Sequence, residues 1–326
     1  MKPLSSENKS STHRAAKIYG DYLAMLIVPC ALSIGFYGTD AVRTLLAGLI
    51  TAIVCDFTAS YIINHQYFAA DFSAICAGIM TSLMMPASVP VYVPVFSASF
   101  AVLAVKIPFG GGLRVPFSPA AAGFAFAAIC FKDLIFTYDS GRAFMTTVSL
   151  GSTLMHGGTM RLNTAGLLDI LTGNIYGPMG TGCIIAMIAC IIFMFIRRRS
   201  ALLATAGFLG SCLIFSLIFP RSAGSLLSSP VLELSSGSLM FASVFLITEP
   251  STLPPRKVNR ILYGICCGVL CMVMRHTGTF EEPVCFAVLL ANGAAPLLES
   301  ATDRINIILS KKENTVGTSE KEVEAQ

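Results

Sequence analysis

The sequence predicts an all-α polytopic membrane protein with about ten transmembrane helices, and three observations carry that expectation. Of its 326 residues, 54% are hydrophobic and only 12% are charged, against about 25% charged in an ordinary soluble domain. The apolar residues fall in long blocks; residues 22–38 and 178–196 carry no Asp, Glu, Lys or Arg, and a helix needs roughly 20 such residues to cross a bilayer. The Lys and Arg residues alternate in a pattern that only an even number of crossings explains. The net charge of +4 comes with no dense basic stripe, so nucleic acid is not an expected partner and lipid is. Trp is absent, which leaves Tyr and Phe to form any interfacial aromatic belt.

In chain order the ten segments are 22–38, 41–63, 71–86, 90–107, 116–133, 178–196, 201–219, 237–250, 259–275 and 283–298. Lys9, Arg14 and Lys17 precede the first, as in a cleaved leader, but Pro29 interrupts its apolar block. No clear small-residue cleavage pattern follows, so a retained helix is expected. With the N-terminus inside, 16 of the 22 Lys and Arg residues lie on the cytoplasmic side, including Arg197, Arg198 and Arg199, and 6 lie outside. Cytoplasmic loops are the ones enriched in Lys and Arg, so both termini are expected in the cytoplasm.

Two segments are unusual in the same way. Residues 71–86 end at Met85-Pro86 with Pro90 and Pro94 behind, and residues 237–250 end at Glu249-Pro250 with Pro254-Pro255 behind. Each is the third segment of a group of five. Five is odd, so the two groups cross in opposite senses, and the expected fold is a pair of inverted five-helix repeats. Short, Pro-interrupted helices at matching positions of such repeats point to a site near the bilayer midplane. The expected divisions are a tail (1–17), a first repeat (18–133), an extracytoplasmic loop (134–177), a second repeat (178–300) and a second tail (301–326). Residues 1–16 and 311–326 are polar and read as disordered ends.

The chemistry-bearing residues are sparse. The 11 cysteines sit almost entirely in apolar blocks without CxxC spacing, and read as small apolar residues. The four histidines (His13, His65, His156, His276) form no metal motif. Asp56, Asp71, Lys106 and Glu249 lie in or at the edges of spans, where ionisable groups face protein or water because lipid is costly for them. Asp71 reads as a helix N-terminal acid, Lys106 as a side chain that snorkels to the inner surface. Phe109-Gly110-Gly111-Gly112 marks a boundary where another group or a neighbouring helix can approach closely, or where the chain simply turns.

The 44-residue interruption at 134–177 is too long for an ordinary connection. It holds Val148-Ser149-Leu150-Gly151-Ser152-Thr153-Leu154 and His156-Gly157-Gly158. On pattern alone this is a hydroxyl- and glycine-rich loop.

Several stretches resemble a known family. Lys106-Ile107-Pro108-Phe109-Gly110-Gly111 with Pro116-Phe117-Ser118-Pro119-Ala120, then Phe245-Leu246-Ile247-Thr248-Glu249-Pro250, then Arg275-His276-Thr277-Gly278 through Asn292 and Ala295-Pro296-Leu297, occur in the order found in the NqrB/RnfD family. RnfD belongs to Rnf electron-transport complexes, and its relative NqrB to the sodium-pumping NADH:quinone reductase. The resemblance covers roughly residues 20 to 300, and the length is closer to RnfD. It implies FMN held through its phosphate on the threonine of an S/T-G-A-T motif, which maps onto Leu150-Gly151-Ser152-Thr153 with Leu150 and Ser152 as departures. It therefore implies Thr153 as the attachment residue, with Ser152 and Gly151 beside it, Gly110 and Gly111 as close-approach positions, and a second, noncovalent flavin such as riboflavin near the short helices. The partners implied are the other Rnf complex components, RnfA, RnfB, RnfC, RnfE and RnfG, and a flavin transferase. The function implied is electron transfer between ferredoxin- and NAD-linked components, coupled to Na⁺ or H⁺ movement, with no complete reaction catalysed by this chain in isolation. An inverted-repeat solute channel or carrier without redox chemistry is the competing expectation.

Overall fold

A computed structural model describes residues 6–64, 71–113, 115–138, 149–155, 164–221, 228–278 and 281–324. Every regular element among them is a helix, and the architecture is that of an all-α, multi-pass membrane protein. The first half comprises α1 (Ser6–Tyr37), α2 (Thr39–Asn64), α3 (Ser73–Leu83), α4 (Tyr92–Ser99, continued as π-helix over Phe100–Lys106) and α5 (Pro119–Cys130). The connection carries α6 (Lys132–Ile135), α7 (Leu150–Met155) and α8 (Thr164–Thr172). The second half comprises α9 (Ile184–Arg197), α10 (Leu202–Ile218), α11 (Ser228–Ser235), α12 (Leu239–Val244), α13 (Lys257–Thr277) and α14 (Val284–Glu324).

All ten expected segments contain a helix, but their lengths differ. Arg14–Tyr37, Thr39–Ile62, Lys257–Thr277 and Val284–Arg304 are long and apolar enough to cross a bilayer, and five shorter apolar helices accompany them. The remaining segment, 237–250, keeps helix only over Leu239–Val244. The rest of it is irregular, yet Phe245, Leu246, Ile247, Thr248 and Glu249 are all buried. The stretch after α3 behaves likewise, with Met84, Met85 and Ala87 buried in non-helical backbone. Irregular backbone at membrane depth persists only where protein covers it, and here the other half does so. The Tyr22 and Thr248 hydroxyls meet, the Tyr22 and Phe245 rings pack edge to face, and the Gly180 and Met179 N–H groups donate to the Leu83 and Met85 carbonyls at 2.8 and 3.0 Å.

The halves share a packing plan. In the first, α1 packs on α2 and α3, α2 on α3 and α4, and α5 on α3 and α4. In the second, α9 packs on α10 and α12, α10 on α12 and α13, and α14 on α12 and α13. Across the halves, equivalent helices meet: α1 with α9 and α5 with α14. Small residues permit the closest approaches. A Cβ on Gly78 would lie 2.7 Å from the Gly48 carbonyl oxygen, and one on Gly264 2.2 Å from that of Ala204, as expected where van der Waals contact drives helix association in lipid. Outward-facing Ile27, Ile62, Ile196 and Leu297 are 66–73% exposed. That surface suits hydrocarbon.

Two expectations are corrected. Residues 6–16 and 311–324 were expected to be disordered, but they continue α1 and α14 as helix; extending a formed helix avoids the cost of nucleation. Lys106 does not snorkel: it is 3% exposed and held by two carboxylates.

Candidate functional site

The loop expected to carry the acceptor threonine is locally ordered. Ser149 starts α7: its hydroxyl accepts the Ser152 N–H at 3.1 Å, and its carbonyl accepts the Thr153 N–H at 3.0 Å and the Thr153 Oγ1 hydroxyl at 2.9 Å. Serine suits this role because its side chain satisfies backbone donors that a first helical turn leaves free. Leu150 and Leu154 anchor α7 by packing with Ile170, Ile175, Ile184 and Leu232. Gly151, Ser152 and Thr153 remain half-buried. Thus Thr153 offers a hydroxyl on an anchored, partly accessible turn.

Glu281, from the loop between α13 and α14, faces this turn. The Ser149 hydroxyl donates to its carboxylate, as does the Tyr138 hydroxyl. A Cβ on Gly151 would sit 3.1 Å from Glu281 Cγ and 3.2 Å from Oε1, so a residue without a side chain is what lets the carboxylate come this close. Burial pushes the Glu281 carboxyl up to about 7, aided by neighbouring Glu282. Glu282 is raised too, by burial, and accepts the Ser238 N–H and hydroxyl.

Beside this loop lies a buried ion cluster. Arg275, near the end of α13, donates from Nη1 to Glu233 Oε2 and O, both at 3.1 Å, and to Ser236 Oγ; Nη2 reaches the Ser236 carbonyl at 3.0 Å. Arg221 grips both Glu233 oxygens and donates to the Arg275 carbonyl at 2.9 Å. Burial raises the Glu233 carboxyl, but the two guanidinium groups outweigh it and hold the carboxyl below its ordinary value.

A second buried cluster joins Lys106 to Asp56 at 2.8 Å and Asp71 at 3.2 Å. Asp71 also accepts the Ser73 N–H at 3.2 Å, so it both caps α3 and pairs with a cation. Gly110 and Gly111 belong here, away from α7. With Gly112 they take φ of +89°, +67° and +59°, a conformation glycine adopts without penalty, and the turn folds back so that the Gly111 N–H donates to the Lys106 carbonyl at 3.0 Å.

A third constellation surrounds the break after α12. Glu249 Oε2, Ser251 Oγ, both side-chain polar atoms of Asn259 and Nδ2 of Asn292 are buried without hydrogen-bond partners among the described residues. Of these, the sequence singled out Glu249 as an ionisable group and Asn292 only within a family-resembling stretch. It did not point to Glu281, Glu282 or the Arg221–Glu233 pair, which are separated along the chain and carry no motif.

Comparison with known proteins agrees with this architecture. The chain is 23% identical to the D component of the Na⁺-translocating ferredoxin:NAD⁺ oxidoreductase complex of Acetobacterium woodii, over 91% of this chain and 92% of that one. It is 23% identical to the counterpart in the proton-translocating complex of Clostridium ljungdahlii, over 82% and 84%. Against the D component of the ion-translocating oxidoreductase complex of Colwellia psychrerythraea it is 27% identical, over 82% and 86%. The model of the NQR2, RnfD, RnfE family matches residues 5–307, and with that span the chain belongs to this family.

Proposed function

We propose that this chain is the RnfD-type membrane component of an ion-translocating Rnf-type complex and carries FMN esterified through its phosphate to Thr153. The observation that carries the attachment is the placement of the Thr153 hydroxyl: half-buried, on a turn fixed by Ser149, Leu150 and Leu154, beside the small residues Gly151 and Ser152. When bound, the flavin supplies the electron-carrying chemistry. The chain's own residues anchor its phosphate end, orient the turn and shape the charge around it. In the attachment step, a flavin transferase joins Thr153 Oγ1 to the flavin phosphorus of a flavin dinucleotide. The pyrophosphate bond breaks, the nucleoside monophosphate leaves, and the hydroxyl proton passes to solvent.

The same reading places electron flow between ferredoxin- and NAD-linked components, coupled to Na⁺ or H⁺ movement, with RnfA, RnfB, RnfC, RnfE and RnfG as partners and this chain incomplete as a catalyst by itself. The unpaired polar atoms of Glu249, Ser251, Asn259 and Asn292 are suited to hold a noncovalent riboflavin at the α12 break. Residues 134–177 face outward in this topology and both termini lie in the cytoplasm.

In-gel flavin fluorescence of the denatured chain tests the attachment. The wild-type band should fluoresce and Thr153→Val should be dark. A dark wild-type band from cells with an active flavin transferase overturns it. Labelling from outside should reach a cysteine placed in 134–177 and miss one placed at Arg197–Arg199; the reverse pattern overturns the topology. The repeated packing plan also suits a carrier without redox chemistry. That reading instead requires substrate flux through liposomes containing this chain alone.

A further inference from the structure

Among the described residues, Glu281 is the carboxylate aimed at the acceptor turn, and nothing in the attachment reading uses it. It collects the Ser149 and Tyr138 hydroxyls and lies against Gly151. We propose that Glu281 is an electrostatic gate on modification of Thr153: ionised, it repels an incoming phosphate; protonated, it lets the turn accept one. The proposal rests on the assignment of Thr153 as the flavin acceptor.

The physical case has two parts. A phosphodiester on Thr153 adds a negative charge close to a partly buried carboxylate, and such like-charge pairs resist joint ionisation. The other charged or titratable groups facing Glu281 leave it poised near neutrality: Glu282 disfavours its ionised form, Arg275 on α13 favours it, and Tyr138 lends a hydrogen bond. Arg221 does not shield it, being committed to Glu233.

The test uses the full-length chain in membranes with a flavin transferase and FAD. Initial rates of in-gel fluorescence gain are compared for wild type and Glu281→Gln from about pH 6 to about pH 8.5, the window over which a group near neutrality changes charge. The mutant-to-wild-type ratio cancels the transferase's own pH dependence. It should lie near unity at the acid end and rise several-fold at the alkaline end. A ratio flat across that range overturns the gate and leaves the attachment standing. A band dark at every pH overturns both.

Discussion

Lys106 ends the helix formed by α4 and its π-helical continuation, and Arg275 lies near the end of α13; each holds an acid that precedes a short helix, Asp71 before α3 and Glu233 before α12. The position is repeated; the chemistry is not. The Lys106 cluster joins one cation to two carboxylates through point contacts with side chains alone. The Arg275 cluster joins two guanidinium groups to one carboxylate, and Arg275 also takes the Glu233 and Ser236 carbonyls. Lys is a compact charge, whereas Arg is a planar fork that can bind backbone and carboxylate together. The first cluster therefore ties α2 to the turn before α3. The second fixes the backbone path from α11 into α12, where only six residues of helix remain.

That contrast can be broken, starting with the largest effect. Glu233→Ala strands one buried and one partly buried guanidinium group, neither of which can shed its charge, and should cost about 3–5 kcal/mol. Thermal unfolding in detergent would show this as a large drop in Tm or as failure to accumulate. Lys106→Met strands two carboxylates beside the glycine turn and should fall at the lower end of that range, about 3 kcal/mol; a drop equal to that of Glu233→Ala would remove the distinction. Arg275→Lys keeps the charge and loses the fork, at about 1–3 kcal/mol for hydrogen bonds left unmade. If Arg275→Lys is neutral, the backbone contacts contribute nothing.

The smallest effect is a pH slope at Glu281. Its carboxyl is raised to about 7 in the fold from about 4.3 in an unfolded chain, so the native state binds the extra proton. Its contribution is fully present below the unfolded value and is lost as pH rises through about 7. With solvent screening of a half-buried group, the loss should be about 1–2 kcal/mol. Comparing Tm against pH for wild type and Glu281→Gln isolates this slope from those of other acids; identical slopes would mean that Glu281 is not perturbed.

The ten apolar blocks were legible because burial in lipid imposes a length and composition on each crossing. The two interrupted helices were legible because proline marks where a helix cannot continue. Asp71 shows the limit: its position before α3 suggests a cap, which it is, but nothing local announces that Lys106, 35 residues on, also claims it. Glu281 was harder still, since Ser149 lies 132 residues away and an acidic residue in a loop ordinarily reads as solvated.

The sequence by itself determined the class of protein, the number of apolar segments and the family, because hydropathy, proline and short motifs act locally along the chain. Only the tertiary structure decided which charges are paired, that Gly110 and Gly111 serve the Lys106 turn rather than α7, and that a glutamate faces the turn carrying Thr153. Those facts depend on helices distant in sequence meeting in space. In a low-dielectric interior a charge is stable only beside the partner that the fold brings to it.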